Sequence, residues 1–231
     1  MTGAVPKIRL RGVKKRFGEK VVLNGVDLGR YGPRPRDAAL ARELGVEGRF
    51  VVGYLGTHGM AHSLPKVLEA AERLRGRGDI AFLFAGSGAE RGTVERIVAE
   101  RGLANVVLVP RQPRERMAAL WSLCDLALVP LRDLPLFTTV IPSKIFEAMA
   151  MGVPVLLCTP EGEASRIVRD AGGVCLPPED PVALADAVVA LCGDPARRGA
   201  LRSSALAAAP RYSREAQAAV MLEVLAGAAR R

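Results

Sequence analysis

The chain has 231 residues, of which 49% are hydrophobic and 25% charged, and its 33 basic and 24 acidic side chains give a net charge of +9. This composition excludes wholesale disorder, and the length suits one domain or at most two. The sequence holds no apolar run of the roughly 20 residues that a membrane-spanning helix needs and no apolar core of a signal peptide, so we expect a cytoplasmic protein. The four cysteines stand far apart, unlike those of a disulfide framework or a zinc site.

Most of the net charge lies near the N-terminus. Residues 1–36 contain ten basic and two acidic side chains, and the rest of the chain is nearly neutral. A basic segment can mark a nucleic-acid partner or an anionic surface, but only 4% of the chain is aromatic and no stacking platform interleaves with these charges. We therefore expect no nucleic-acid partner. Residues 1–28 are predicted to form a short basic segment with one or two strands, in IRLRGV and KVVLNG.

Residues 29–48 are predicted to be a linker, because the stretch GRYGPRPRD is rich in Gly, Pro and Arg. Over residues 49–210, short apolar runs alternate with helix-length amphipathic segments. The apolar runs are RFVVGYLG, AFLFAG, NVVLVP, DLALVP, VPVLLC and GVCLP. Such alternation is typical of βαβ units, and continuously apolar strands indicate burial on both faces. The sequence therefore predicts an α/β fold with a doubly wound, mostly parallel Rossmann-like sheet and helices on both faces, followed by a C-terminal helix over residues 211–231.

The loops that follow the first two predicted strands are rich in glycine. Ligands of an open α/β sheet bind beyond the carboxyl ends of its strands, so these loops are candidate binding elements. Glycine lets the backbone approach an anion and point N–H groups at it, which favours a phosphate ligand, although glycine after a strand is also ordinary turn chemistry. The candidate residues are Gly56, Thr57, His58, Gly59, Gly86 and Ser87.

Two common nucleotide-binding fingerprints are absent from the sequence. Arg91 stands where the third glycine of Gly-x-Gly-x-x-Gly would follow Gly86 and Gly88, which disfavours a nicotinamide dehydrogenase. The sequence also lacks the Gly-x-x-x-x-Gly-Lys-Ser/Thr phosphate loop of P-loop ATPases. His58 and His62 are four residues apart, but no third ligand lies nearby, so we interpret them as polar lining of a pocket and expect no metal site.

The segment VIPSKIFEAMAMGVPV carries the strongest chemical signal. Ser143 is a predicted N-cap and Gly152 a predicted C-terminal stop of the helix between them. Lys144 and Glu147 would then share one face near the helix N-terminus, an end that attracts anions. One interpretation is an exposed ion pair of about 0.3 kcal/mol. The other is a site in which the ammonium holds a diphosphate and the carboxylate accepts hydrogen bonds from a ribose.

The motifs AGSGAER, PSKIFEAMAMGVPVL and LPPEDPVALADAV make residues 49–211 resemble the donor-binding C-terminal domain of the retaining, group 1 nucleotide-sugar glycosyltransferases with the GT-B fold. The loop GTHGMAHSL together with VIPSKIFE is most similar to the branch that transfers acetamido sugars in bacterial surface polysaccharide synthesis. Asn24 to Asp27 (NGVD) resembles the turn that closes the N-terminal domain of this family. The resemblance implies one half of a GT-B enzyme.

The same resemblance implies roles for individual residues. Glu147 matches the second of the family's paired glutamates and would bind the donor ribose, whereas Thr139 stands where the first would be. Lys144 and the helix N-terminus would neutralise the leaving diphosphate, with Arg111 as a second cation. Lys144 and Glu147 are thus the predicted catalytic residues. The remaining predicted donor-binding residues are Pro110, Arg111 and Gln112 around the base, and Thr139, Val140, Ile141 and Ser143. The resemblance implies a nucleotide-sugar donor, with UDP as the expected nucleotide, and no cofactor. The sequence contains no Asp-x-Asp, which agrees with catalysis that needs no divalent metal.

The resemblance leaves the acceptor and the partners open. It implies an enzyme that is incomplete without an acceptor-binding domain, supplied by a partner chain or complemented by a homodimer. A lipid-linked saccharide at the inner membrane face is the acceptor that we expect, which would place the protein at the membrane periphery. The alternative function is a non-catalytic nucleotide-binding or interaction module that requires a partner chain. Residues 7–28 also resemble the start of an ABC-transporter ATPase, so a chimera junction near residues 24–28 is a second interpretation of the N-terminus.

Overall fold

The structure is a computed structural model that describes the backbone of residues 16–17, 20–21 and 25–228 and the side chains of residues 25–223. The short strands β1 (Arg16–Phe17) and β2 (Lys20–Val21) pair antiparallel. β2 starts the predicted strand KVVLNG, whereas the predicted strand IRLRGV lies outside the described residues. Most of the segment that resembles an ATPase also lies outside them.

Six further strands form one sheet. They are β3 (Phe50–Leu55), β4 (Ile80–Ala85), β5 (Val106–Val109), β6 (Leu126–Pro130), β7 (Val155–Cys158) and β8 (Val174–Leu176). All neighbours pair parallel, in the order β5-β4-β3-β6-β7-β8. The predicted fold class is therefore confirmed, with all strands of this sheet parallel.

Helices cover both faces of the sheet. They are α1 (Ala38–Glu43), α2 (Leu64–Arg73), α3 (Arg91–Arg101), α4 (Met117–Ser122), α5 (Lys144–Met151), α6 (Glu163–Asp170), α7 (Pro181–Cys192), α8 (Pro195–Ala208) and α9 (Arg214–Ala228). None of the described helices combines the length and the apolar character needed to cross a bilayer.

The strands are continuously apolar because each one contributes to two cores. In β4, Ile80, Phe82 and Phe84 pack under α2, α3 and α7, whereas Ala81 and Leu83 face the opposite core beneath α4, α5 and α6. Successive side chains of a strand point to opposite faces, so a strand covered on both sides has no polar position. This two-sided burial explains why the apolar runs located the strands.

The sheet reverses its direction of growth between β3 and β6. From β3 the chain adds β4 and β5 on one side, and it then crosses to add β6, β7 and β8 on the other. The loops at the carboxyl ends of β3 and β6 therefore diverge onto opposite faces and leave a crevice between them. The loop after β3 begins at Gly56, and the loop after β6 leads into α5 at Lys144.

Part of the predicted linker belongs to the packed domain. Asp37 caps α1 by accepting a hydrogen bond from the Leu40 N–H, and Leu40 and Ala41 are buried. Arg36 bonds the carboxylate of Asp125, which in turn accepts the N–H of Val51 at the start of the sheet. This part of the linker is therefore held against the amino end of the sheet.

The segment that enters the domain pairs with the segment that leaves it. Val26 forms a parallel bridge with Ser213: its N–H donates to the Tyr212 carbonyl at 2.8 Å, and its carbonyl accepts the Arg214 N–H at 2.9 Å. Gly25 is required at this crossing, because a Cβ there would lie 2.8 Å from the backbone of Arg214. The two segments are thus joined next to the start of α9.

Candidate functional site

Lys144, the first residue of α5, lies at the crevice between β3 and β6. Its ammonium sits beneath Gly56, 3.2 Å from the point where a Cβ of Gly56 would be, so a larger residue at position 56 would press on the ammonium. The Nζ atom also lies 3.9 Å from the centroid of the Tyr54 ring, a favourable cation–π distance. It is buried and has no hydrogen-bond partner among the described residues. The structure therefore places at this edge a buried lysine that contacts an aromatic ring and has no hydrogen-bonded anion among the described residues.

Burial lowers the pKa of Lys144 to about 7, and the nearby Glu147 carboxylate only partly opposes that change. The neutral amine and the ammonium are therefore both populated at neutral pH. An anion with oxygen atoms within reach of Nζ would favour the charged form and supply the missing hydrogen bonds. This is the chemical property expected of a phosphate-binding lysine.

Glu147, one turn further along α5, is held by aromatic side chains. Its Oε2 accepts a hydrogen bond from the indole Nε1 of Trp121 at 3.2 Å. Tyr31, from the predicted linker, also interacts with this carboxylate, and burial together with the Glu147 charge raises the pKa of Tyr31 to about 12. Burial raises the pKa of Glu147 itself, and the Trp121 hydrogen bond opposes the change.

Lys144 and Glu147 do not form the exposed ion pair that the sequence left as one interpretation. Lys144 is only 8% exposed, Glu147 is half-buried, and the ion pairs of the described residues do not include this pair. The helix α5 ends at Gly152 with φ 68° as predicted, but Ser143 does not cap it with its side chain. Position 143 is exposed at the mouth of the crevice instead.

The glycine-rich loops after β3 and β4 pack against each other. A Cβ on Gly86 (φ 153°) would overlap the carbonyl of Gly56, and one on Gly88 (φ 151°) would overlap the carbonyl of His58. The N–H groups of Gly56, His58 and Gly86 donate to the carbonyls of Ala85, Ser87 and Val109, respectively. The predicted phosphate cradle is therefore wrong for these three amides, because they are already committed. The glycines are needed for the close approach of the two loops.

His58 and His62 are neutral and lie against Tyr54. His58 is fully buried between Tyr54 and Phe84, with ring centroids 5.6 and 6.2 Å away. The prediction that His58 lines an open pocket is therefore wrong. Burial and the charges of Arg91 and Lys144 lower its pKa to about 4. His62 contacts the Pro130 carbonyl through Nδ1, and burial lowers its pKa to about 4 as well. Among the described residues, no three His, Cys, Asp or Glu side chains cluster as a metal site would require.

The remaining predicted donor-binding residues lie on loops after β3, β4, β5 and β6, at the carboxyl edge of the sheet. Those that are exposed are Thr57, Ser87, Pro110, Arg111, Thr139 and Ser143. Those that are partly buried are Gly59, Gln112, Val140 and Ile141. Gln112 is held by its hydrogen bond to the Pro110 carbonyl, whereas the hydrogen bonds and ion pairs of the described residues include none from the Arg111 side chain. Arg111 is thus a cation available at the edge next to β4.

Sequence reasoning missed the aromatic partners of the two central residues. Tyr54 supports Lys144, and Trp121 with Tyr31 supports Glu147. Tyr54 lies in a continuously apolar strand, where nothing distinguishes it from a core residue. Trp121 is the only tryptophan of the chain, and a buried indole N–H needs an acceptor, which is the one signal that could have pointed to a polar neighbour.

A family model described as Glycosyl transferases group 1 matches residues 49–194. A D-inositol 3-phosphate glycosyltransferase from Xylanimonas cellulosilytica is 31% identical over 221 residues, 91% of this chain and 52% of that protein. The structure of Anabaena Alr3699/HepE in complex with UDP and glucose superposes with a TM-score of 0.77 at 22% identity, covering 90% of this chain and 56% of that one. The C-terminal domain of LpcC, a group 1 family protein from Francisella tularensis, superposes with a TM-score of 0.65 at 18% identity, covering 82% and 99%.

These comparisons identify the fold and the family of the chain. The described sheet and its helices have the fold of one Rossmann-like half of a GT-B protein. The chain belongs to the group 1 glycosyltransferase family, as the sequence motifs indicated. It spans about half the length of the D-inositol 3-phosphate glycosyltransferase that it matches.

Proposed function

We propose that this chain is the donor-binding half of a glycosyltransferase that moves a sugar from a nucleotide-sugar to an acceptor with retention of configuration. The observation that carries the proposal is the buried, unpartnered ammonium of Lys144 at the crevice between β3 and β6. In open α/β sheets this crevice is where nucleotides bind. Family membership supports the proposal, as do the complex of HepE with UDP and the likeness to a separate C-terminal domain in LpcC.

The main contribution of this half is stabilisation of the leaving diphosphate. Lys144 swings from the Tyr54 ring into the crevice, and its ammonium exchanges a cation–π contact for hydrogen bonds to phosphate oxygens. The N-terminus of α5 adds positive charge at the crevice. Arg111, on the loop after β5, is the second cation that we propose for the diphosphate. Charge that develops on the diphosphate as the glycosidic bond breaks is thereby neutralised, which lowers the barrier. Because these cations perform that task, no divalent metal and no cofactor are needed.

Glu147 and the exposed edge loops determine which donor binds. The Glu147 carboxylate accepts hydrogen bonds from the ribose, and residues 110–112 contact the base. Thr139 lies where the family resemblance implies a glutamate, so no carboxylate from this position acts on the sugar ring. We propose UDP as the nucleotide and an acetamido-hexose as the sugar, on the basis of the UDP complex of HepE and the loop GTHGMAHSL.

The acceptor site belongs to a second domain. Glycosyl transfer needs donor and acceptor held in one reactive geometry, and this chain covers about half the length of its relatives. A partner domain or chain therefore completes the enzyme, and a homodimer is the alternative arrangement. We propose a lipid-linked saccharide as the acceptor, which places the assembled enzyme at the cytoplasmic face of the membrane.

Calorimetry with UDP, GDP and ADP, in the presence and absence of Mg²⁺, tests the donor site. UDP is expected to bind without Mg²⁺, and strict dependence on the metal would contradict the proposal. Lys144→Ala should weaken UDP binding about tenfold or more but leave uridine binding unchanged, because a charge-assisted hydrogen bond is worth about 1.5–3 kcal/mol. Lys66→Ala is the matched control, since Lys66 is a partly exposed lysine on α2 that pairs with Glu69.

Two further measurements separate the roles within the site. Glu147→Ala should weaken ribonucleotides more than their deoxyribose analogues, and an equal loss for both would show that the helix has been disturbed instead. Transfer from labelled UDP-sugars should require a cognate acceptor domain supplied in trans. Donor binding without transfer under those conditions would favour the alternative of a non-catalytic nucleotide-binding module.

A further inference from the structure

Ser63 and Glu179 share an unusual backbone conformation. They are the two non-glycine residues of the described chain with positive φ, at 45° and 54°. The left-handed region crowds a Cβ against the backbone, so such residues persist only where surrounding contacts hold them. Here the two residues hold each other, because the Ser63 hydroxyl donates to Glu179 Oε1 at 2.6 Å.

The Glu179 carboxylate joins three loops at the carboxyl edge of the sheet. Ser63 ends the loop after β3, and Glu179 itself lies between β8 and α7. The second carboxylate oxygen, Oε2, accepts the backbone N–H of Asp133 in the loop after β6 at 2.8 Å. A third hydrogen bond, from the Arg132 N–H to the Ala61 carbonyl, joins the loop after β6 directly to the loop after β3.

The Ser63 hydroxyl bonds Glu179 and does not cap its own helix. Ser63 occupies the N-cap position of α2, where a serine hydroxyl normally accepts a hydrogen bond from the first turn, yet its side chain makes no such bond. The hydroxyl points to Glu179 instead. Both bonds to Glu179 favour its ionised form, and they lower the pKa of this carboxyl group below its usual range.

We infer that Glu179 is a positioning residue for the donor site: its carboxylate fixes the loop after β3, which covers Lys144, relative to the loop after β6, which leads into Lys144. The first loop begins at Gly56, directly over the Lys144 ammonium. The second runs from Leu131 to Ser143 and enters α5 at Lys144. The hydrogen bonds of Glu179 among the described residues go to Ser63 and Asp133 and not to Lys144, so it acts by setting the separation of the two loops. The consequence for binding rests on the proposed function.

Glu179→Gly tests this role without adding strain. Glycine accepts φ 54° without a steric cost, so the variant loses the carboxylate but relieves the backbone. We expect its thermal unfolding midpoint to stay close to that of the unmodified chain, because the relieved backbone at position 179 offsets part of the two lost hydrogen bonds. Hydrogen exchange should become faster in peptides that cover residues 56–63 and 131–143. The affinity for UDP should fall about two- to thirtyfold, the range over which residues remote from a ligand modulate its binding.

Glu179→Gln and Glu100→Gln form a matched pair. Glu179→Gln keeps the side-chain shape but retains one acceptor oxygen, so its exchange and affinity should lie between those of Glu179→Gly and the unmodified chain. Glu100 is an exposed carboxylate on α3 that pairs with Arg96, so Glu100→Gln removes the same charge and should change neither measurement.

The outcomes test the positioning role and the proposed function separately. If Glu179→Gly leaves the exchange of both loops unchanged, the positioning role is overturned. Faster exchange with an unchanged UDP affinity would also overturn it, because the loops would then not control the donor site. If the unmodified chain fails to bind any nucleoside diphosphate, the proposed function fails, while the exchange measurement still decides whether Glu179 holds the loops.

Discussion

Replacing Lys144 by methionine should change how the stability of the fold depends on pH. Lys144 is buried without a hydrogen-bond partner, and its pKa falls from 10.5 to about 7 in the folded chain. Between these two values the unfolded chain binds a proton that the folded chain does not, so stability rises as the pH increases from 7 towards 10.5. Methionine has a similar size and no charge, so Lys144→Met should lose this rise.

The size of the effect follows from the lowered pKa. One proton of difference is worth about 1.4 kcal/mol per pH unit, and Lys144 is half-titrated at pH 7, so the unmodified chain should gain about 2 kcal/mol between pH 7 and pH 9 relative to Lys144→Met. Below pH 7 the lysine is charged in both states and the folded chain bears the cost of its burial. There Lys144→Met should be the more stable protein.

Urea unfolding of both proteins at pH 6, 7, 8 and 9 measures this difference. Other groups titrate in the same range, including the buried thiol of Cys124, whose pKa is raised by burial, but their contributions cancel when the two proteins are subtracted. A stability difference that stays constant from pH 7 to pH 9 would show that Lys144 keeps an ordinary pKa. The picture of a buried, unpartnered ammonium would then be refuted.

One binding measurement and three substitutions test separate parts of the structure. UDP binding at pH 8 should take up close to one proton, because a diphosphate beside Lys144 favours its charged form; calorimetry in buffers of different ionisation enthalpy counts the protons, and no uptake would contradict the contact. Gly86→Ala should destabilise the fold by about 3 kcal/mol or more in chemical denaturation, whereas Gly92→Ala, with open space around it inside α3, should stabilise it by about 0.5–1 kcal/mol. Trp121→Phe should cost about 1.5–3 kcal/mol at pH 7 by removing the hydrogen bond to Glu147, and a negligible change in urea unfolding would show that this bond is weak.

The strands could be predicted because the sheet is buried on both faces. Each of the six apolar runs overlaps one strand, from Phe50–Leu55 to Val174–Leu176. The helix α1 was missed because a six-residue helix with two buried side chains gives little periodicity, and the preceding Gly, Pro and Arg residues indicate a linker. Tertiary contacts, such as the hydrogen bond from Arg36 to Asp125, hold this short segment in place, and such contacts leave no pattern in the local sequence.

The location of the candidate site at the carboxyl edge of the sheet could be predicted from the sequence, but the contacts within it could not. The parallel sheet brings Gly56 and Lys144 to one edge, as the order of strands and loops requires. The contact of Lys144 with Tyr54 depends on how distant side chains pack, which sequence spacing does not specify. Gly86 shows a further limit, because a tight loop contact and an anion cradle demand the same residue type, and only the hydrogen bonds of the amide distinguish them.

The pairing of Val26 with Ser213 brings the two ends of the sheet domain together, which suits it to insertion into another protein. The backbone enters and leaves at one point, where two hydrogen bonds, one on each side of Val26, hold the two crossings together. A domain with adjacent entry and exit can be grafted into a surface loop of another protein without stretching either junction. A neighbouring domain connected through both of these segments would rotate relative to the sheet about one point. Gly25 lies at that point and tolerates no side chain.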